Sequence, residues 1–109
     1  MNINSTIRAA ITPIVSVCVP HLYTGAETEY CTFNYTRYPA EYSDNAPMAV
    51  GFSIQMHYFL PLKNNPNDKL SQIANALFAA GFDYPQIVDV TDDTGQHYVF
   101  ETGCAEELA

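Results

Sequence analysis

The clearest pattern in the chain is an alternation of apolar and polar positions along residues 50–60. The residues between the apolar positions are mostly small or polar. A period of two, held over this whole stretch, indicates a β-strand with one buried face. We therefore expect this strand to lie at the centre of a sheet. The apolar set is Val50, Phe52, Ile54, Met56, Tyr58 and Leu60.

Two other stretches have the three- and four-residue apolar spacing of amphipathic helices. The first covers residues 3–12, and Asn4 or Ser5 is a suitable N-cap for it. The second covers residues 66–80, with Asn65 as its N-cap and a proline at its first position. Each helix needs an apolar surface to pack against, and the sheet supplies one.

Four shorter stretches predict further strands, since they are rich in β-branched and aromatic residues. They are residues 15–23, 29–36, 87–91 and 96–102. Pro20 interrupts the first of them and removes a ladder donor, so we expect an edge strand or an irregular extended segment there.

This order of elements predicts an α+β fold with a mainly antiparallel sheet of four to five strands and two helices packed on one face. A length of 109 residues is typical of a single domain, here residues 1–109. The acidic residues at the end of the chain predict a flexible tail over 102–109.

The connection between the second predicted strand and the central strand covers residues 37–48, which is long for a hairpin loop. It contains two prolines, two tyrosines and several acidic or turn-forming residues. Long loops in compact domains are often functional, so this loop is a candidate partner-contacting element; a solvated loop without a partner is the alternative. The candidate contact residues are Arg37, Tyr38, Glu41, Tyr42, Asp44 and Met48.

The chain is acidic, with a formal net charge of −8 and only four lysines and arginines. Without a basic stripe to neutralise phosphates, specific binding of nucleic acid is disfavoured. No apolar run approaches the ~18 residues of a membrane span, and the first residues do not form a secretory signal. We therefore expect no membrane partner and a cytosolic origin.

Residue types that carry chemistry are present, but they do not form a known motif. Cys18, Cys31 and Cys104 lack the spacing of a zinc site, and free thiols are the expectation in a reducing compartment. His57 and His97 fall on predicted strands that could be neighbours, yet no spacing offers a third metal ligand. Catalytic serine motifs and glycine-rich phosphate loops are also missing from the sequence. We therefore predict no enzyme activity and no cofactor.

At the level of whole elements, the sequence resembles small phage and prophage proteins of the head–tail junction, of the tail-completion or tail-terminator type. The likeness covers nearly the whole chain and includes a long loop after the second strand. It rests on residues 7–11 (IRAAI), 30–35 (YCTFNY), 57–61 (HYFLP), 76–82 (ALFAAGF) and 97–101 (HYVFE).

This resemblance implies a virion structural protein without catalytic residues. Such proteins assemble as rings, commonly six-fold, that join the tail tube to the head connector while DNA passes without specific binding. The expected partners are further copies of the chain, tail-tube proteins and head-connector proteins. The expected location is the virion, with the host cytoplasm during assembly.

Two other functions remain open from the sequence. A small cytosolic adaptor would bind a peptide along an open sheet edge. A metal-dependent enzyme would use His57 and His97 together with a third ligand.

Overall fold

A computed structural model describes residues 2–43 and 45–107. The described residues form two helices and one sheet of five strands, so the fold is α+β, as the sequence predicts. The elements are α1 (Ile3–Ile11), β1 (Cys18–Pro20), β2 (Tyr30–Ser43), β3 (Ala46–Leu60), α2 (Asn67–Ala79), β4 (Gln86–Asp89) and β5 (Gln96–Glu107).

The sheet has the strand order β1-β2-β3-β5-β4, which places the predicted central strand, β3, in the middle. β1 pairs with β2 in parallel. The pairs β2–β3, β3–β5 and β4–β5 are antiparallel. The alternation along β3 faces the core, since Ile54, Met56 and Tyr58 are buried while Ser53 and Gln55 are exposed.

Both helices pack on this core face, which we call the helix face of the sheet. Apolar residues of α1 and α2 join those of β2, β3 and β5 in one hydrophobic cluster. Its fully buried members include Ile7, Ile11, Phe33, Met56, Ile73, Leu77 and Phe100. Burying side chains of this size contributes about 1.5–3 kcal/mol each, so the cluster holds the layers together.

The helix caps differ by one to three residues from the sequence prediction. In α1 the cap is Asn2, whose side chain accepts a hydrogen bond from the Ser5 amide at 3.1 Å. In α2 Pro66 occupies the cap position, and Asn65 accepts from the Asn67 amide at 3.0 Å. The asparagine before the proline thus still binds a free amide at the helix start, as capping requires.

The largest correction concerns residues 37–48, which are not a loop. β2 and β3 continue through this stretch as a hairpin whose ladder ends at the pair Ser43 and Ala46. Asn45 has φ of 63° in the turn, a left-handed conformation that asparagine tolerates. Prolines and turn formers suggested a loop, but the extended hairpin accommodates them. We call residues 37–43 and 45–52 the arm.

A second correction concerns the predicted flexible tail at 102–109. Residues 102–107 belong to β5 and pair with β3 as far as Ala49 opposite Glu107; 108 and 109 lie outside the described residues. Gly103 permits this close pairing, because a Cβ there would lie 2.6 Å from the Phe52 carbonyl oxygen. The third strand therefore extends alongside the arm, and the molecule measures 54 × 25 × 24 Å.

Candidate functional site

The predicted contact residues lie on the arm rather than on a loop. Arg37 and Glu41 are exposed, as are Tyr38 and Met48, which keep about half of their surface accessible. Tyr42 lies in β2, and its side chain is outside the described part of the structure, as is the whole of Asp44. The arm therefore presents its candidate residues along a ladder of two strands and on both of its faces.

Tyr38 covers the arm on the face opposite the helices, which we call the open face. It stands across the ladder from Gly51, and a Cβ at Gly51 would lie 2.2 Å from its ring. Because Gly51 has no side chain, it leaves room for the Tyr38 ring to lie against the two-stranded ladder of the arm.

The outer edge of β2 is covered only at its beginning. The amide of Cys31 donates to Val17, and the amide of His21 donates to the Phe33 carbonyl. His21 then adopts φ of 64°, and the chain leaves the sheet. Within the described residues, nothing pairs with this edge of β2 after Phe33.

The pattern of these hydrogen bonds shows which backbone groups are exposed. Residues on an antiparallel strand direct their N–H and C=O groups to alternate sides. Since Cys31 and Phe33 direct theirs outward, so do Tyr35 and Arg37. Pro39 falls in the same series, where its missing N–H faces away from the ladder. That is the place where a strand tolerates proline.

β4 forms the opposite edge of the sheet. It is a short strand that carries apolar side chains, and some of its backbone N–H and C=O groups point away from β5. The amide of Val90 donates to the His97 carbonyl, on the β5 side. By the same alternation, Ile87 and Asp89 direct their N–H and C=O groups outward. Ile87 is 38% exposed, and Asp89 is exposed beside it.

The open face carries a row of five aromatic rings, four on the strands β2, β3 and β5 and one, Tyr23, in the segment before β2. Tyr23 contacts Tyr30 at 4.8 Å between centroids, and Tyr30 stacks on Phe59 at the same distance. Phe59 stacks on His97 at 4.2 Å, and His97 contacts His57 at 5.1 Å. The rings cover one another's faces, so they stabilise the sheet surface by mutual stacking.

Four of the five rings, all except that of His57, belong to residues that line a cavity of about 570 Å³. Rings of Tyr30 and Phe59 form part of its wall, and Glu27, Asp92 and Thr94 lie in the loops around it. The Asp92 carboxylate already accepts two hydrogen bonds from Thr94, at 2.9 and 2.6 Å. These contacts order the 92–95 turn, so the Asp92 carboxylate has a structural role there.

The two predicted histidines come together, but in a geometry unsuited to a shared metal ion. Nδ1 of His57 lies 2.8 Å from Nε2 of His97, and the ring centroids are 5.1 Å apart. The two nitrogens therefore lie close to the line between the rings, with their lone-pair directions opposed. Two ligands of one ion must instead point to a common position.

Burial lowers the pKa of both histidines, and for His57 the charge of His97 lowers it further. The nearby Asp92 carboxylate acts in the opposite direction on the pKa of His97. A hydrogen bond between the rings needs one nitrogen without a proton, so it excludes the state in which both histidines are charged.

A polar network that the sequence does not reveal joins Glu29, just before β2, to β3 and α2. The Tyr58 hydroxyl donates to one Glu29 oxygen at 2.7 Å, and Lys69 donates to the other at 2.6 Å. Burial raises the pKa of Glu29, but the hydrogen bonds from Lys69 and Tyr58 outweigh it and hold that pKa below its usual value. Burial and the carboxylate raise the pKa of Tyr58.

The cysteines are free thiols in the structure, in agreement with the sequence. Cys18 and Cys31 are register partners on β1 and β2, and both are buried. Burial raises the pKa of the Cys18 thiol to about 12, and burial also raises the pKa of Cys31. Both thiols therefore stay protonated and contribute as small apolar side chains.

Within residues 2–43 and 45–107, no group of three or more His, Cys, Asp or Glu side chains is placed to hold a metal ion. Over the same residues, neither helix has the length and hydropathy to cross a membrane. The features left for a function are the arm, the two open edges and the aromatic row with its cavity.

Comparison with protein-family models gives no match to this chain, and a search of curated proteins gives none either.

Proposed function

We propose that the protein is a structural component of a phage or prophage particle, of the tail-completion or tail-terminator type. In this proposal it assembles with copies of itself into a ring at the head–tail junction. The observation that carries the proposal is the arm, a projecting hairpin whose outer edge has no strand beside it among the described residues. The resemblance of the element order to such proteins points in the same direction.

The physical argument starts from the cost of an open edge. A row of free N–H and C=O groups is a template for another strand, so monomeric proteins shorten or cover their edges. Within the described residues, no strand pairs with the outer edge of β2 from Asn34 to Pro39, and none pairs with the far edge of β4. Two different open edges on one sheet favour a head-to-tail contact, which closes into a ring when the rotation fits.

The charge of the chain suits the same role. A net charge of −8 repels the phosphate backbone, so a ring of such subunits would let DNA pass without adhering. In this proposal the arm extends along the ring axis or into the lumen. The tail tube and the head connector are the neighbours on either side, in the virion and during assembly in the host cytoplasm.

The test is the oligomeric state, measured by sedimentation velocity across the micromolar range, alone and with purified tail tubes. We expect one ring-sized species, formed in solution or on the end of the tube. Electron microscopy of that species should show a central hole. A chain that stays monomeric in both conditions would refute the proposed function.

A small peptide-binding adaptor is the second candidate. The cavity of about 570 Å³ beside the aromatic row favours it, because the cavity has the size of a small-ligand or side-chain pocket. In this case a monomer would capture one defined peptide, and substitution of Phe59 by alanine would abolish the capture. A ring-sized assembly that leaves the cavity empty and ignores peptides would exclude the adaptor.

A further inference from the structure

The two open edges of the sheet match each other, residue by residue. We propose that β2 of one copy pairs with β4 of the next in an antiparallel ladder, with Tyr35 opposite Asp89 and Arg37 opposite Ile87. This inference rests on the proposed self-assembly and specifies the surface that it uses.

The first argument is the direction of the strands. β2 is antiparallel to β3, β3 to β5, and β5 to β4, so β2 and β4 run in opposite directions. A neighbouring copy that continues the sheet in the same orientation therefore meets β2 with an antiparallel β4. Such a contact joins two different surfaces, which is the head-to-tail arrangement of a ring.

The second argument is the match of free backbone groups. Tyr35 and Arg37 direct their N–H and C=O groups outward on β2, and Ile87 and Asp89 do so on β4, as the hydrogen bonds of their neighbours show. Opposed in the proposed register, the two pairs exchange four hydrogen bonds. Each pair is then of the hydrogen-bonded type found in antiparallel ladders.

The third argument is where this ladder stops. One step beyond Arg37 and Ile87, the same register places Pro39 opposite Pro85, and neither residue has an N–H to donate. At the other end, the Phe33 carbonyl is already used by His21. The register therefore fills the free stretch of β2 between its covered beginning and its proline.

The fourth argument is the chemistry of the side chains. The Tyr35 hydroxyl donates to Asn4 of α1 at 2.9 Å, which places Tyr35 and Arg37 on the helix face. Ile87 and Asp89 are opposite Phe100 and Tyr98 and belong to the same face. In the proposed ladder Tyr35 lies directly opposite Asp89 and the Arg37 stem opposite Ile87, and the long Arg37 side chain reaches the Asp89 carboxylate along the diagonal.

A charge exchange tests this inference. Arg37→Glu and Asp89→Arg should each weaken self-association by about tenfold, and the double variant should recover most of the loss. Lys63→Glu is the matched control, because it makes the same change of charge at an exposed position away from both edges. The measurement is the dissociation constant by sedimentation equilibrium.

A backbone variant provides an independent test. Ile87→Pro removes an N–H that faces away from β5, so it should abolish assembly without breaking the β4–β5 ladder. Circular dichroism and thermal unfolding of the monomer check that the fold is kept. If the chain assembles and Arg37→Glu behaves as Lys63→Glu does, the β2–β4 contact is wrong while the proposed function stands. If the chain never assembles, even with tail tubes, both are wrong.

Discussion

The hydrogen bond between Tyr58 and Glu29 gives a prediction with a defined pH dependence. Tyr58 has no accessible surface, and its hydroxyl donates to the Glu29 carboxylate at 2.7 Å. We expect Tyr58→Phe to lower the free energy of unfolding at pH 7, because the packing of the ring is kept while the hydroxyl that donates to a charged acceptor is lost.

The magnitude follows from the acceptor and its exposure. A hydrogen bond to a charged group contributes about 1.5–3 kcal/mol. The Glu29 side chain is 30% exposed, so water can replace the lost hydroxyl on one side. Lys69 also remains bound to the other oxygen at 2.6 Å. We therefore expect a loss at the lower end of the range, about 1.5 kcal/mol.

The sign of the pH dependence follows from the lowered pKa of Glu29. A carboxyl group whose pKa is lower in the folded chain stabilises the fold above its unfolded value, about 4.3, and loses this contribution as the pH falls below it. Near pH 3 the wild type has lost much of that stabilisation. The effect of Tyr58→Phe should then shrink toward that of a neutral hydrogen bond, about 1 kcal/mol or less.

Urea unfolding followed by far-UV circular dichroism measures both values, since the chain has no tryptophan to report by fluorescence. Tyr98→Phe is the matched control, because the Tyr98 hydroxyl donates to the neutral side-chain oxygen of Gln96 at 2.6 Å. Its loss should be the same at both pH values. Equal losses for Tyr58→Phe at pH 7 and pH 3 would refute the assigned role of Glu29.

Three further predictions use the same unfolding assay. Gly103→Ala should lower the free energy of unfolding by about 2 kcal/mol, because its Cβ would lie 2.6 Å from a backbone oxygen. Gly51→Ala should lower it by under about 1 kcal/mol, because its Cβ would meet only the Tyr38 ring, which can move. Equal losses for the two variants would contradict this reasoning. Asn45→Ala should cost about 1 kcal/mol from its φ of 63°, and Asn45→Gly should not. Burial lowers the pKa of His57 and His97, so the free energy of unfolding should fall as the pH drops below about 6.5. His57→Gln should make that fall less steep, and an unchanged pH dependence would show that the pair does not cause it.

The periodic parts of the chain are the parts that the sequence predicts well. The alternation along 50–60 indicated the central strand and its buried face, and the structure confirms both. The second helix followed from its apolar stripe, and the structure ends it before Gly81, which has φ of 104°. Both features depend on the spacing of apolar residues within a short stretch, and that spacing can be read from one sequence.

The arm escaped prediction because its evidence is not local. Pro39 usually argues against a strand, and its tolerance here depends on which edge of β2 lies free. Strand order decides that, and the sequence does not give strand order. A weak signal was present in Asn45 and the aspartate before it, since both residue types suit the left-handed positions of short hairpin turns.

The candidate site shows the same division. The sequence placed His57 and His97 on strands that could be neighbours, and the structure shows that the two side chains meet. The network of Glu29 with Tyr58 and Lys69 joins residues 29 and 40 positions apart in sequence. The sequence contains many acidic residues, and its spacing does not single out Glu29 as the partner of Lys69.

The exposed arm has a consequence for where the fold opens first. Residues 34–39 and 45–48 are exposed, so few buried contacts support the hydrogen bonds between them. Backbone amides there should exchange with heavy water well before those of Met56 and Phe100, which lie beneath the helices. Slower exchange along one edge of the arm would then map, residue by residue, the place where another molecule binds.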